Sequence, residues 1–415
     1  MSARAARLAV RLEHVRAAAA LLDGAVMRTP TIRSASLSAL AGTTVALKLE
    51  TLHPTGAFTE RGALVKLASL NRKQRRTGVI AMSAGNHAQG VAYHARRLGI
   101  PAAIVMPEAT PFSKVARTES LGARVVLRGE SLAGCRKAAK EIAARDGLTF
   151  VHPYDDPAII AGQGTCGLEM LADLPELDVL LVPVGGGGLI SGIAVAAKAL
   201  KPAISVIGVE VAGYASMRHA LGHGPKPAGG ETLAEGIAVK EPGRLTRAIV
   251  NALVDDILVV DEGAIEHAIG TLVESQRLVV EGAGAVPLAA LLSAPTRFRR
   301  KTVGLVVSGG NIDSRMLSSI LMRGLVRTGR LVRLRAGITD QPGALARLTR
   351  IVGDLGGNIV EIYHQRLFYD VPVKLAEVDV VVETRNPAHV GRLIDALGTA
   401  GFPARLLSGT TQNDG

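Results

Sequence analysis

Eight short runs of valine, isoleucine and leucine, separated by longer segments, limit this chain to a narrow set of folds. They lie at 45–49, 79–82, 103–106, 125–127, 179–184, 206–209, 257–260 and 303–307. Between them are segments of helical period, such as 88–98 and 131–145. A strand buried on both faces shows a continuous apolar run, whereas a half-solvated strand alternates. Continuous runs alternating with helices therefore predict an α/β fold with mainly parallel sheets covered on both sides. Ligands of such sheets sit beyond the carboxyl ends of the strands.

Near residue 330 the pattern changes. Val332, Leu334 and Ala336 alternate with arginine and glycine, as in a half-solvated strand. Asp340-Gln341-Pro342-Gly343 is a turn signal, a helical stretch runs from 344 to 355, and Gly356-Gly357-Asn358 stops it. A strand at 359–365, a second with Val378, Val380 and Val382 against charges, a helix at about 388–400 and a last strand at 404–407 complete the order βαββαβ. That is a ferredoxin-like unit. Its turn residues resemble those of ACT domains, regulatory modules that often bind amino acids. The expected division is 1–325, with a smaller subdomain at about 53–155, then 330–408, then a polar tail at 409–415.

With 415 residues and 48% hydrophobic content the chain is long enough for two or three packed domains. No run of about 18 uncharged apolar residues occurs, so no membrane partner is expected. Ser2-Ala3-Arg4-Ala5-Ala6-Arg7 is Arg-rich, but Glu13 and periodic leucines follow, and it is read as the start of a helix. Cys135 and Cys166 form no paired spacing and read as buried apolar residues of a cytoplasmic protein. The net charge of +12 raises the question of nucleic acid. The arginines are scattered and aromatics make up only 3%, leaving few stacking platforms, so no nucleic-acid partner is expected.

Three strand-to-helix junctions carry the chemistry. Gly185-Gly186-Gly187-Gly188 follows an apolar strand and opens an apolar helix. Without Cβ atoms, successive backbone N–H groups can converge on one anion, and the helix N-terminus adds to the field. Glu210 lies about 20 residues on, as in a dinucleotide fingerprint, but Ile190 or Ser191 replaces the last required glycine. No Gly-Lys-Ser/Thr follows either. Ser83-Ala84-Gly85-Asn86-His87-Ala88-Gln89-Gly90 is the second junction, suited to a carboxylate, with Ser83 also a candidate N-cap. Ser308-Gly309-Gly310-Asn311 is the third. Three such junctions point to one composite pocket.

With these motifs the chain resembles the fold-type II pyridoxal-phosphate enzymes of the threonine and serine dehydratase group, over residues 20 to 320 or so. The resemblance implies two open parallel α/β domains, with the ACT-like unit as a regulatory addition. It implies pyridoxal 5′-phosphate as cofactor, its phosphate cradled by Gly185, Gly186, Gly187 and Gly188. Asn86 would meet the pyridine 3′-oxygen, Phe58 and Gly236 would flank the ring, and Glu281, in Glu281-Gly282-Ala283-Gly284-Ala285, would lie near it. Ser308 would face the pyridine nitrogen, where a neutral hydroxyl makes a weaker electron sink than an aspartate. Ser83, Ala84, Gly85, Asn86 and the amides toward His87 would hold the substrate carboxylate. Ala84 stands where related serine racemases carry a second serine, which favours elimination. Ile160-Ala161-Gly162-Gln163-Gly164-Thr165 also matches. Some relatives hold a cation near the position of Glu210; Ser216 stands where an aspartate would help, and no metal is assigned. Implied partners are a small amino acid such as L-threonine, L-serine or 3-hydroxyaspartate, an amino-acid effector at the ACT-like unit, and further copies of the chain in a homo-dimer or homo-tetramer.

One residue departs from this pattern. In Thr55-Gly56-Ala57-Phe58-Thr59-Glu60-Arg61-Gly62-Ala63 the family's Schiff-base lysine is replaced by Thr59. In the family that lysine holds the cofactor covalently and then removes the substrate α-proton, leading to 2-oxobutanoate and ammonia from threonine. A threonine hydroxyl forms no imine and is a poor base near neutral pH. Lys66, two turns further on, and Lys48, on the preceding strand, are read as structural because covalent attachment requires near-contact. Pyridoxal phosphate, if bound, is then bound non-covalently. Three readings of Thr59 stand: a substitution introduced into an ordinary ammonia-lyase, a natural chain that binds without turnover and signals through the ACT-like unit, or a lysine-free reaction.

Overall fold

A computed structural model describes residues 8–364 and 375–407. The expected helix start at 2–7, the strand end at Gln365 and the tail at 409–415 lie outside them. The chain forms two compact units, Met1–Ile312 and Asp313–Gly415.

All eight apolar runs are strands of the first unit, divided between two sheets. The larger has the order Thr31–Arg33, Thr44–Leu49, Thr302–Val307, Val179–Pro183, Ser205–Val211, Asp256–Val260. Every pair in it is parallel except the edge strand Thr31–Arg33. The smaller sheet, Arg124–Leu127, Ala102–Met106, Val79–Met82, Thr149–Phe150, is parallel throughout. The fold-type II architecture is therefore present. Thr31–Arg33 and Thr149–Phe150 are too short and too polar to show as apolar runs.

Each sheet has its own core. The larger packs Leu180, Val182, Val206 and Val306 against Ile190, Ile193 and Met170 of flanking helices. The smaller packs Val79, Ala81 and Ile104 against Ala88, Val91, Ala92 and Ala95 of the helix Asn86–Arg97. Both cysteines are buried thiols, Cys166 in the larger sheet's core and Cys135 in a second cluster with Ile80 and Val105 of the smaller sheet. The helix Thr59–Ala68 meets the helix Pro157–Asp173 backbone to backbone, because a Cβ on Gly162 would lie 2.6 Å from Gly62 Cα. Gln163 Oε1 accepts the Gly62 N–H at 3.1 Å, which accounts for the Gly162-Gln163 motif as a positioning device.

The second unit contains the helix Ser314–Arg327 and the expected βαββαβ order, from Leu331–Thr339 to Ala404–Leu407. Its antiparallel sheet runs Asn358–His364, Leu375–Glu383, Leu331–Thr339, Ala404–Leu407. Val332, Leu334, Ala336 and Ile338 turn one face to the helices Ala344–Asp354 and Pro387–Thr399. This matches the ACT-like, ferredoxin-like order. No helix among the described residues is long and apolar enough to cross a membrane.

Candidate active site

The three junctions leave their sheets at carboxyl strand ends, as parallel topology requires. Ser83 follows Val79–Met82, Gly185 follows Val179–Pro183 by one residue, and Ser308 follows Thr302–Val307.

The tetraglycine segment is an anion cradle by its hydrogen bonding. Residues Gly185 to Ile190 are all buried. Among the described residues, none of their six backbone N–H groups donates to a protein acceptor; the next, on Ser191, donates to Gly187 O at 3.0 Å. Buried N–H groups without a partner are costly, and these surround the N-terminus of the helix Gly188–Leu200. The absence of side chains is enforced by neighbours. A Cβ on Gly186 would overlap the Tyr154 ring, and one on Gly185 would lie 2.9 Å from Ile237 Cα. Gly187 adopts φ +93°, a conformation glycine takes without strain.

The Ser83 loop offers a second set of donors. The helix begins at Asn86 with Gly85 as its cap, so Ser83 is not the N-cap. Its Oγ instead accepts the Gly85 N–H at 3.1 Å, which tightens the turn. Burial holds the His87 imidazole down to about 4, so it is neutral, and it sits against Val151 O at 3.2 Å.

A polar chain ties these elements together. Asn311 Nδ2 donates to Thr55 O and to Asn86 Oδ1, both at 2.7 Å, and Asn86 Nδ2 donates to Glu281 Oε1 at 2.7 Å. A Cβ on Gly236 would lie 3.4 Å from that same Glu281 oxygen, and Gly236 adjoins the Ile237 that abuts the glycine cradle. Phe58 N donates to Ser308 O at 3.0 Å, with Ser308 buried. Thr59, 7% exposed, opens the helix Thr59–Ala68, and its Oγ1 donates to Asn86 O at 2.9 Å. Thr59, Phe58, Asn86, Gly236, Glu281, Ser308 and the tetraglycine thus line one region. Asn311 and Tyr154 were given no role from sequence. Asn311 closes the Ser308 motif and could have been read with it, whereas Tyr154 carries no local signal.

Two lysines close in sequence to Thr59 are engaged elsewhere. Lys48 Nζ bonds Thr29 O at 2.6 Å and Glu169 at 2.5 Å, and Lys66 pairs with Asp156 at 2.6 Å. Glu210 accepts the Met217 and Arg218 N–H groups at 2.8 and 3.0 Å, so its carboxyl caps a short helix. Lys114 pairs with Glu235 at 2.5 Å, beside Gly236.

Burial pushes Glu281 up to about 7 against the Asn86 hydrogen bond; the Glu235 carboxylate adds to the rise, and Lys114 and the Asn311 backbone oppose it. Burial likewise pushes Glu210 up to about 7 despite its three backbone amides. Both groups hold their proton more tightly folded than unfolded. Their contribution to stability is full below about pH 4.5 and is lost as pH rises through about 7. Glu281→Gln, which mimics the protonated acid, is expected to flatten the decline of urea stability between about pH 5 and 8, leaving the Glu210 share. An unchanged decline would show that Glu281 titrates in solvent-like surroundings.

Residues 22–309 match the family described as pyridoxal-phosphate dependent enzyme. The L-threonine ammonia-lyase of Thermotoga maritima is 44% identical over 400 residues, covering 96% of this chain and 100% of the relative. The processed threonine deaminase isoform 2 of Solanum lycopersicum superposes with a TM-score of 0.71 at 34% identity, over 75% of this chain and 92% of that one. Maize serine racemase gives 0.71 at 36% identity, over 77% and 99%.

Proposed function

This chain belongs to the pyridoxal-phosphate-dependent enzyme family, and we propose that its first unit is a threonine or serine ammonia-lyase site whose turnover is strongly reduced by Thr59. The observation that carries the reading is the run of six buried, unpartnered amides from Gly185 to Ile190, which suits the cofactor phosphate. The threonine ammonia-lyase and threonine deaminase relatives support the substrate class. Ala84, at the second junction, favours elimination over the racemisation named in the maize neighbour.

Each residue then has a task. Gly185 to Gly188 would hold the phosphate, and Phe58 and Gly236 would flank the ring. Ser308 would offer its hydroxyl to the ring nitrogen, and Asn86, fixed by Asn311 and Glu281, would offer its second amide hydrogen to the ring oxygen. The N–H groups at the start of the helix Asn86–Arg97 orient the substrate carboxylate. The bound cofactor supplies the electron-withdrawing ring that acidifies the amino acid's α-carbon. What the chain lacks is a base at position 59. The Thr59 hydroxyl spends its proton on Asn86 O, and among the described residues no side chain hydrogen-bonds to it as a base. Binding without turnover also suits a sensor that signals through the C-terminal unit, with an amino-acid effector there.

Equilibrium dialysis tests the reading. One pyridoxal phosphate should bind per chain and leave completely on dialysis. Gly186→Ala should raise Kd about 10- to 100-fold, because the added methyl displaces Tyr154 or the loop at a cost of about 1–3 kcal/mol. No saturable binding, or binding indifferent to Gly186→Ala, would overturn it.

A further inference from the structure

The first unit carries a stretch of sequence with many basic residues and no acidic ones. Between Glu60 and Glu108 there is no aspartate or glutamate, while Arg61, Lys66, Arg72, Lys73, Arg75, Arg76, Arg96 and Arg97 all fall there. Four of them lie in the short helix Arg72–Thr77. Arg72, Arg75 and Arg76, at i, i+3 and i+4, share one face of that helix. Together with Gly99 and Pro101 they line an open concavity of about 380 Å³.

Arg75 is built into place, while Arg72 and Arg76 are exposed on either side of it. Arg75 is fixed by its Nε to Leu70 O at 3.0 Å and its Nη2 to Ala68 O at 2.7 Å. The helix is anchored by a reciprocal Asn71–Gln74 capping box. It is also seated by Gly78, where φ is +105° and a Cβ would lie 2.6 Å from Pro101 O. Among the described residues none of the three guanidinium groups pairs with a carboxylate. Arg61 and Lys66, by contrast, are consumed by Glu50, Glu169 and Asp156.

The position separates this concavity from the candidate active site. The helix Arg72–Thr77 and the turn at Gly99–Pro101 both feed the amino-terminal ends of strands, Val79–Met82 and Ala102–Met106. The Ser83 loop leaves the opposite end of that sheet, about 13 Å away along four residues of strand.

We propose that this concavity is a second anion site, for a small ligand bearing two or more linked phosphate groups. Guanidinium forks match phosphate oxygens bidentately; Arg72 and Arg76 supply two such forks, and Arg75, whose Nε and Nη2 serve Leu70 O and Ala68 O, adds its charge. The volume leaves room for a diphosphate among the three arginine side chains.

Calorimetric titration of the full chain with inorganic pyrophosphate tests this, with pyridoxal phosphate in excess to fill the glycine cradle. One site is expected. Its affinity should fall at least about tenfold in the double variant Arg72→Ala/Arg76→Ala and should weaken as sodium chloride rises. Orthophosphate should bind about tenfold or more weakly than pyrophosphate. Cofactor binding by the double variant should be unchanged, which also reports that it folds. Arg75 is spared because it caps the preceding helix. No pyrophosphate binding, equal affinity in the double variant, or equal affinity for orthophosphate overturns the proposal. If the cradle fails to hold pyridoxal phosphate, pyrophosphate binding there would survive the arginine changes and respond to Gly186→Ala instead, so the two readings fail separately.

Discussion

Thr59→Lys is expected to raise 2-oxobutanoate formation from L-threonine by about 10⁴- to 10⁶-fold, the span by which removing an essential catalytic group usually lowers a rate. The surroundings of residue 59 are otherwise complete. Its side chain leaves the first turn of the helix Thr59–Ala68, beside Asn86, whose amide is already aligned by Asn311 and Glu281. Gly90 keeps the space next to it open, since a Cβ there would lie 3.2 Å from Thr59 Oγ1. A lysine would lose the bond to Asn86 O and gain reach into the region bounded by Ser308, Glu281 and the glycine cradle. Lys48 and Lys66 cannot substitute while held by Glu169 and Asp156. A coupled assay of 2-oxo acid release gives the answer. If Thr59→Lys binds cofactor but forms no 2-oxo acid from threonine, serine or 3-hydroxyaspartate, the assigned substrate class is wrong.

Arg61→Ala is expected to lower the unfolding free energy by about 3–5 kcal/mol, because it removes the guanidinium that neutralises the buried Glu50 carboxylate. Arg61 is 1% exposed and lies two residues after Thr59. Its Nε and Nη2 reach Glu50 at 2.7 and 2.8 Å, and Nη1 and Nη2 reach Glu169 at 2.6 and 2.8 Å. Burial works to raise the Glu50 carboxyl, but Arg61 and His53 outweigh it and hold it well below the usual range. Burial works to lower Arg61, and Glu50 and Glu169 hold it well above its ordinary value. Without the guanidinium, Glu50 keeps only His53 and the Thr29 hydroxyl as partners, and must ionise without a fixed cation or take up a proton. Arg61→Lys should recover only part of the loss, since an ammonium cannot serve two carboxylates in a fork. Urea denaturation at pH 7 measures both. A change below about 1 kcal/mol in Arg61→Ala would show that the network is solvated and weak.

Much of this was legible in the sequence, for reasons that differ by element. The apolar runs at 79–82, 179–184 and 303–307 became strands because burial on both faces leaves a continuous signal. The turn signal at 340–343 and the stop at 356–358 bound the helix Ala344–Asp354 because glycine and proline act locally. The tetraglycine segment was readable because missing Cβ atoms are a sequence fact, and its unpartnered amides follow from them. Long-range partnerships were not legible. Tyr154 seals Gly186 from 32 positions away, and Asn311 meets Asn86 across a separation of 225. Ser83 shows the limit of local rules: its hydroxyl serves Gly85, two residues on, because the chain turns before the helix begins.

On the function proposed, the pocket receives pyridoxal phosphate and, with threonine at position 59, does not bind it covalently. Borohydride reduction of the cofactor-loaded protein, followed by intact and peptide mass measurement, tests it most directly. The chain with Thr59 should keep its unmodified mass, and Thr59→Lys should gain one cofactor group, located at residue 59. A stoichiometric adduct on the Thr59 chain, or none on Thr59→Lys, would contradict the account.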